Sequence, residues 1–418
     1  MPPFLGRQLG LLRRESSFRL LFLATLGSGV GTWLALVALQ VDIVRRTHSP
    51  GWISALLIAD LLPLLALGVV AGPLVDRLSR KRLMIGADLA RVAVFCALPF
   101  AGSATTIVAL AALAGVAGGL FRPAVYAGLP NIVPDPELPR ANSLLQTIDN
   151  LTWAAGSLAG GVLVEVQGPD LAYWINAATF LVSAALIARI PQRLLQVGRA
   201  VSRGHWRDVA EGLSLTITSR PLVTVFIAWN IGMLANAAIN VAEPFLAFDA
   251  FDAGEFGLGL LMGCAGIGLA VGAFLAATWI ERRGLGAVYG ASIGLMGLGV
   301  GLAAAAPNVW VAAACVVLSG AGNGSAIVCN ALLVQRGAPD RLRGRVFTVL
   351  MSSNMLVLTL GMVSAGPLTE AFGPREMWAG AAILSAIASV VGLVLARGVR
   401  APAEIGGPEV EAAGRTAH

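Results

Sequence analysis

The chain has 418 residues, of which 57% are hydrophobic and only 12% charged, and its mean hydropathy is +0.79. So few charges do not cover the surface of soluble domains of this size, and a chain this apolar does not stay disordered. What remains is a polytopic membrane protein. The net charge of +6 does not point to nucleic acid. Its basic residues, 28 Arg and the single Lys81, sit in short clusters between apolar runs, as loops at a membrane face do.

Apolar runs of about 20 residues, the length that crosses a bilayer core, fall near 18–44, 51–75, 83–101, 105–132, 141–166, 171–190, 221–247, 257–280, 285–306, 308–335, 344–369 and 376–397. Backbone polar groups in lipid must be satisfied internally, so all twelve are expected to be helices. The first run is too long for a signal-peptide core and lacks a cleavage site, so it is expected to stay as an anchor. With the N-terminus inside, 24 of the 29 basic residues lie on the cytoplasmic side and only Arg45, Arg46 and Arg375 lie outside. That asymmetry places both termini in the cytoplasm. The expected organisation is a cytoplasmic N-terminus (1–17), a six-helix bundle (18–190), a polar Arg-rich connector (191–220), a second six-helix bundle (221–397) and a disordered cytoplasmic tail (398–418).

The second half repeats the first. Residue n matches residue n+205 without a gap over a long stretch: Gly115 with Gly320, Gly119 with Gly324, Pro134-Asp135 with Pro339-Asp340, Arg140 with Arg345, Gly156 with Gly361, Gly161 with Gly366, Glu165 with Glu370 and Gly168-Pro169 with Gly373-Pro374. Six spans is an even number, so the copies enter the membrane in the same direction. Parallel repeats of this kind are an arrangement of secondary transporters, which handle substrate at the midplane between two bundles.

Between the second and third spans the chain reads Gly72-Pro-Leu-Val-Asp76-Arg77-Leu-Ser-Arg80-Lys81-Arg82. It resembles the signature loop of the major facilitator superfamily, in which a glycine lets two helices close and the Asp and Arg latch the cytoplasmic ends. Asp88 and Arg91, near that end of span three, are grouped with Gly72, Asp76, Arg77 and Arg80 in this latch. The loop after span eight keeps Gly272, Glu281, Arg282 and Arg283 without the Asp-Arg core. Span five reads Gly156-Ser157-Leu158-Ala159-Gly160-Gly161, similar to the antiporter motif of the superfamily's exporters with Ser157 in place of Pro. Thr47-His-Ser-Pro50, Asp88-Leu-Ala-Arg91, Arg140-Ala-Asn-Ser-Leu144 and Arg343-Gly-Arg-Val-Phe347 resemble the macrolide-efflux and siderophore-exporter branch. A departure is Asn131, where many relatives of that branch carry an acid. The resemblance implies a proton-coupled exporter in a bacterial inner membrane, working as a monomer.

Ionisable residues inside spans are costly and point to function. Arg122 and Asp149 each lie nine or ten residues from the cytoplasmic end of spans four and five, roughly 14 Å deep at 1.5 Å per residue. Their repeat partners are Ile327 and Asn354, so the fold does not need the pair. Asp149 is the expected proton carrier, Arg122 its partner, and Asp60 of span two a second carrier candidate. Asp42 is expected to pair with Arg45 and Arg46 at the interface. In span seven, Trp229, Met233, Asn236, Asn240 and Glu243 follow helical spacing on one face. They are expected to form a substrate wall, with Asn354, and with Trp33 beside Thr25, Ser28 and Thr32 as a counterpart in span one. The three histidines lie outside the spans, so a coupled proton falls to a carboxylate. The four cysteines show no metal or redox spacing, and Gly320-x-Gly322-x-Gly324 lies in an apolar run with no preceding strand, so no cofactor or metal is expected.

These features favour export of an amphipathic organic compound (a drug, a macrolide-like natural product or a siderophore) by proton antiport. An importer of a small nutrient on the same fold is the alternative. A membrane prenyl- or glycosyltransferase would need an Asp-rich cluster for metal and diphosphate, and the chain has none.

Overall fold

The computed structural model describes residues 10–70, 79–195, 205–339 and 342–396. Among them no strand occurs. The helices are α1 (Ser16–Thr47), α2 (Pro50–Val70), α3 (Arg80–Ala97), α4 (Ala104–Gly128), α5 (Leu138–Gln167), α6 (Pro169–Ala188), α7 (His205–Thr218), α8 (Arg220–Phe245), α9 (Gly254–Arg283), α10 (Leu285–Ala304), α11 (Val309–Gly337), α12 (Arg343–Phe372) and α13 (Pro374–Leu395). Over its described residues, each of the apolar runs coincides with one of these. Ten helices among the described residues are long and apolar enough to cross a membrane. The two that fall short are α2, apolar as a shorter helix over Pro50–Pro63, and α5, which carries Arg140, Asn142, Asp149, Asn150 and Glu165. The connector is not only polar loop: α7 forms within it and packs on α12, where Gly212 meets the backbone of Arg345 and Arg345 pairs with Glu211.

Local signals set the helix ends. The side chain of Ser103 accepts from the Thr106 amide, and that of Asn308 from Trp310 and Val311, satisfying N-terminal donors of α4 and α11. Gly168 (φ +78°) and Gly373 (φ +95°), repeat partners, turn the chain from α5 into α6 and from α12 into α13. Both positions need a left-handed backbone, and a proline at the first position of the next helix follows each.

Packing repeats as the sequence does. α1 lies on α5 and α6, α2 on α4, and α3 on α4 and α6. In the second set α8 lies on α12 and α13, α9 on α11, and α10 on α11 and α13. Where Gly115 crosses α2, an added Cβ would lie 3.0 Å from Asp60 Cα; the equivalent Gly320 crosses α9 beside Ala265 and Leu269. Without a hydrophobic force between helices in lipid, such close small-residue crossings supply the packing.

The sets meet along α5–α9 and α2–α12. A Cβ on Gly161 would sit 2.8 Å from Gly259 Cα, and one on Gly366 would sit 3.0 Å from Gly51 Cα and 2.8 Å from Ser54 Oγ. Residues 161 and 366 are repeat partners, as are 54 and 259, so one crossing is used twice. Arg45 extends the first crossing by pairing with Glu255. This changes the expectation for Asp42, which binds Arg46 alone of the two arginines: it accepts from Arg46 Nε at 2.5 Å and from Tyr173 Oη at 3.2 Å, and Arg46 also donates to the Ala101 carbonyl at 3.0 Å.

Candidate functional site

A cavity of about 350 Å³ opens among α1 to α6. Its polar lining on α1 is Thr25, Ser28 and Thr32. Each hydroxyl donates to the carbonyl four residues back, at 3.0, 2.8 and 2.7 Å, which lets an apolar helix carry them at little cost. Trp33 stacks on Trp153 of α5 with ring centroids 5.3 Å apart. The glycine motif makes this possible: a Cβ on Gly156 would lie 2.8 Å from Trp33 Cβ, and one on Gly160 would lie 3.0 Å from Leu34 Cα. Gly156 and Gly160 thus seat α5 on α1, while Gly161 faces α9.

Arg122 Nη2 donates to Asp149 Oδ2 at 2.8 Å. Their side chains are 61% and 30% exposed, so the pair is open to the cavity and not sealed in packing. Arg122 precedes Pro123 within α4, and proline removes the hydrogen bond to the Gly119 carbonyl, itself in the cavity wall. Opposite, fully buried Asp88 accepts from Arg91 Nη2 at 2.5 Å and from Ser183 Oγ at 2.7 Å. The Arg91 guanidinium lies 4.1 Å from the centroid of Phe180 and 4.6 Å from that of Phe121. Asp60 on α2 faces the same cavity.

The structure therefore brings together Trp33, Asp60, Arg91, Arg122 and Asp149. Arg91 lies in this cavity because the helical turn carrying Asp88 and Arg91 points into the bundle toward α4 and α6. Arg80, in the first turn of α3, donates to the Ala127 carbonyl at the end of α4. Lys81 Nζ donates to the Ala188 and Ile190 carbonyls at the end of α6, at 2.6 Å each. Gly72, Asp76 and Arg77 lie outside the described residues. None of Trp229, Met233, Asn236, Asn240, Glu243 and Asn354 lines this cavity. Asn240 Nδ2 donates to Asn236 O and Oδ1 at 2.7 Å, Trp229, Glu243 and Asn354 are buried, and the Asn354 carbonyl oxygen has no hydrogen-bond partner among the described residues. Sequence reasoning missed Phe95, Phe121, Tyr126 and Phe180 of the wall. The signal was in the repeat: the equivalents of the three phenylalanines are Val300, Ala326 and Ser385, so the aromatic lining belongs to one half alone.

Apolar helices in two like-packed sets, the first enclosing a cavity lined by charged side chains, have the architecture of a membrane transporter of the major facilitator type. Residues 11–404 match the family model described as transmembrane secretion effector, and the chain belongs to that family of the superfamily. It is 30% identical over 376 residues to the multidrug efflux pump Tap of Mycobacterium tuberculosis, covering 86% of this chain and 88% of that one. It is 26% identical over 344 residues to the putative bacilysin exporter BacE of Bacillus subtilis, covering 80% and 84%. Its fold is similar to that of a bacterial homologue of the iron transporter ferroportin in an inward-facing state (TM-score 0.72, 18% identity, 93% and 99% covered). It is similar also to that of a POT family transporter (TM-score 0.74, 12% identity, 91% and 96% covered). The chain is a transporter and not an enzyme, a multi-pass protein of the bacterial inner membrane.

Proposed function

We propose that this protein exports amphipathic organic compounds by proton antiport with alternating access, through twelve spans in two rocking bundles with both termini in the cytoplasm. The observation that carries the reading is the Arg122–Asp149 pair, held at 2.8 Å in the wall of an aromatic cavity and absent from the repeat-related half. A carboxylate whose counter-ion can be withdrawn by a helix movement changes its proton affinity with conformation, because a nearby guanidinium favours the charged form and an apolar cavity disfavours it. Rocking that parts the pair takes up a proton; rocking that rejoins it releases one.

The tight glycine crossings between the sets lie toward Arg45, Glu165 and Glu255, on the side assigned outside by the arginine distribution. That supports reading this conformation as inward-facing. The multidrug efflux pump and the exporter among the relatives support export over import. The test is transport into inverted vesicles carrying a pH gradient: substrate addition should dissipate the gradient in proportion to uptake. Uptake with no proton movement, and unaffected by collapse of the gradient, rejects antiport.

A further inference from the structure

Asp60 is the charge in the cavity that no other feature explains. Asp88 is held by Arg91 and Ser183, and Asp149 by Arg122. Asp60 faces the cavity and, among the described residues, makes no hydrogen bond and no ion pair; Arg91 acts on it only across space. Its position is not dictated by packing. Gly115 approaches the backbone of Asp60, and at the matching crossing of the second half Gly320 approaches the backbone of Ala265. The same helix pair closes equally well over a methyl group. A carboxylate within a span is costly, and no partner for it lies among the described residues.

We propose that Asp60 is the counter-ion for a monovalent organic cation bound in the first-half cavity. The charge balance favours that occupant. The Asp88–Arg91 and Arg122–Asp149 pairs cancel, so Asp60 leaves the ionised cavity one negative charge. The walls favour it as well: Trp33 and the exposed Tyr126 present aromatic surface, to which an organic cation is attracted. A volume of about 350 Å³ is that of a small drug-sized site. One carboxylate among aromatic rings is a poor cage for an inorganic ion, which takes several oxygen ligands. Taken together with the proton-antiport reading, on which only this step rests, the charges supply an exchange rule. Protonation of Asp149 leaves Arg122 uncompensated, the cavity becomes neutral, and the cation loses its electrostatic hold.

The test uses the full-length protein in lipid nanodiscs at about pH 8, with two tritiated probes of similar size: tetraphenylphosphonium, a permanent cation, and neutral triphenylphosphine oxide. Asp60→Ala, which copies the Ala265 crossing, should weaken tetraphenylphosphonium binding at least about tenfold and change triphenylphosphine oxide binding less than about twofold. Asp60→Glu should restore most of the cation affinity. Equal loss of both probes in Asp60→Ala, or unchanged cation affinity, overturns the assignment, and so does stoichiometric displacement of the probe by Na⁺ beyond its effect as ionic strength. Asp149→Asn, which holds the cavity neutral as protonation does, should weaken tetraphenylphosphonium binding and lose the proton released on binding. Cation binding that depends on Asp60 with no proton release in the unmodified protein would leave this site standing and reject the coupling mechanism alone.

Discussion

At the scale of single residues, neighbours distinguish the two paired carboxylates in and beside the cavity. Asp88 is locked by Ser183 and Arg91 and is fully buried, which suits a structural anchor between α3 and α6. Asp149 is paired and open, which suits a group that exchanges its partner. Asp149→Asn should therefore abolish gradient-driven accumulation while leaving counterflow of a neutral substrate within about twofold, because exchange of bound substrate needs no proton. Parallel measurements of both in proteoliposomes check this; retained accumulation rejects the role. Arg122→Lys should lose only part of the coupling, since a point charge replaces a planar fork that reaches Asp149. Proton release per substrate bound, measured between about pH 5 and 9, should be reduced and not absent.

At the scale of helices, the span-five motif has two jobs on two faces. Gly156 and Gly160 seat α5 on α1, and Gly161 seats α5 on α9. The outer contact between the sets combines this backbone crossing with the Arg45–Glu255 ion pair. The magnitudes differ. Arg45 is 45% exposed, and exposed pairs contribute about 0–1 kcal/mol. Glu255→Gln should accordingly change transport less than about fivefold. Gly161→Leu places a branched side chain where the Gly259 backbone already lies, so the crossing cannot close as it does here. Transport should fall at least about tenfold, and a cysteine placed at Gly51 in the matching crossing should become more reactive to an impermeant outside reagent. Normal transport by Gly161→Leu would show that this crossing does not close during the cycle. On the opposite side, Lys81 and Arg80 bind carbonyls at the ends of α6 and α4, where cations are favoured by the helix dipole. Lys81→Ala should cost about 0.3–1 kcal/mol, seen as a lower thermal midpoint in detergent.

At the scale of the molecule, two halves that pack alike have diverged in chemistry. Spans four to six repeat in ten to twelve down to their turns, yet Asp60, Arg91, Arg122 and Asp149 face Ala265, Met296, Ile327 and Asn354 across the repeat. The first half carries the charged cavity, and the second packs against it along α9 and α12. The signature-loop resemblance adds a global expectation: Asp76→Asn should reduce transport strongly while expression and monodispersity stay near normal, because the latch acts on the balance between states and not on folding. Full transport by that variant rejects the latch role.

Helical character, membrane location and the twofold repeat were legible from hydropathy and periodic glycines, because bilayer thickness and backbone hydrogen bonding leave a span few alternatives. The Arg122–Asp149 contact was legible too, since depth along antiparallel neighbouring spans is simple arithmetic and charges inside a membrane are few. Which face of each helix meets the cavity was not. A span surrounded by lipid and by other apolar helices shows almost no amphipathic contrast, so the polar stripe of α8 and that of α1 look alike in sequence, and only helix packing turned Thr25, Ser28 and Thr32 toward the cavity while the α8 stripe lies outside it. The same holds for Arg91, whose pairing with Asp88 three residues away is plain in the sequence, while the rotation of α3 that carries it over Phe121 and Phe180 is not.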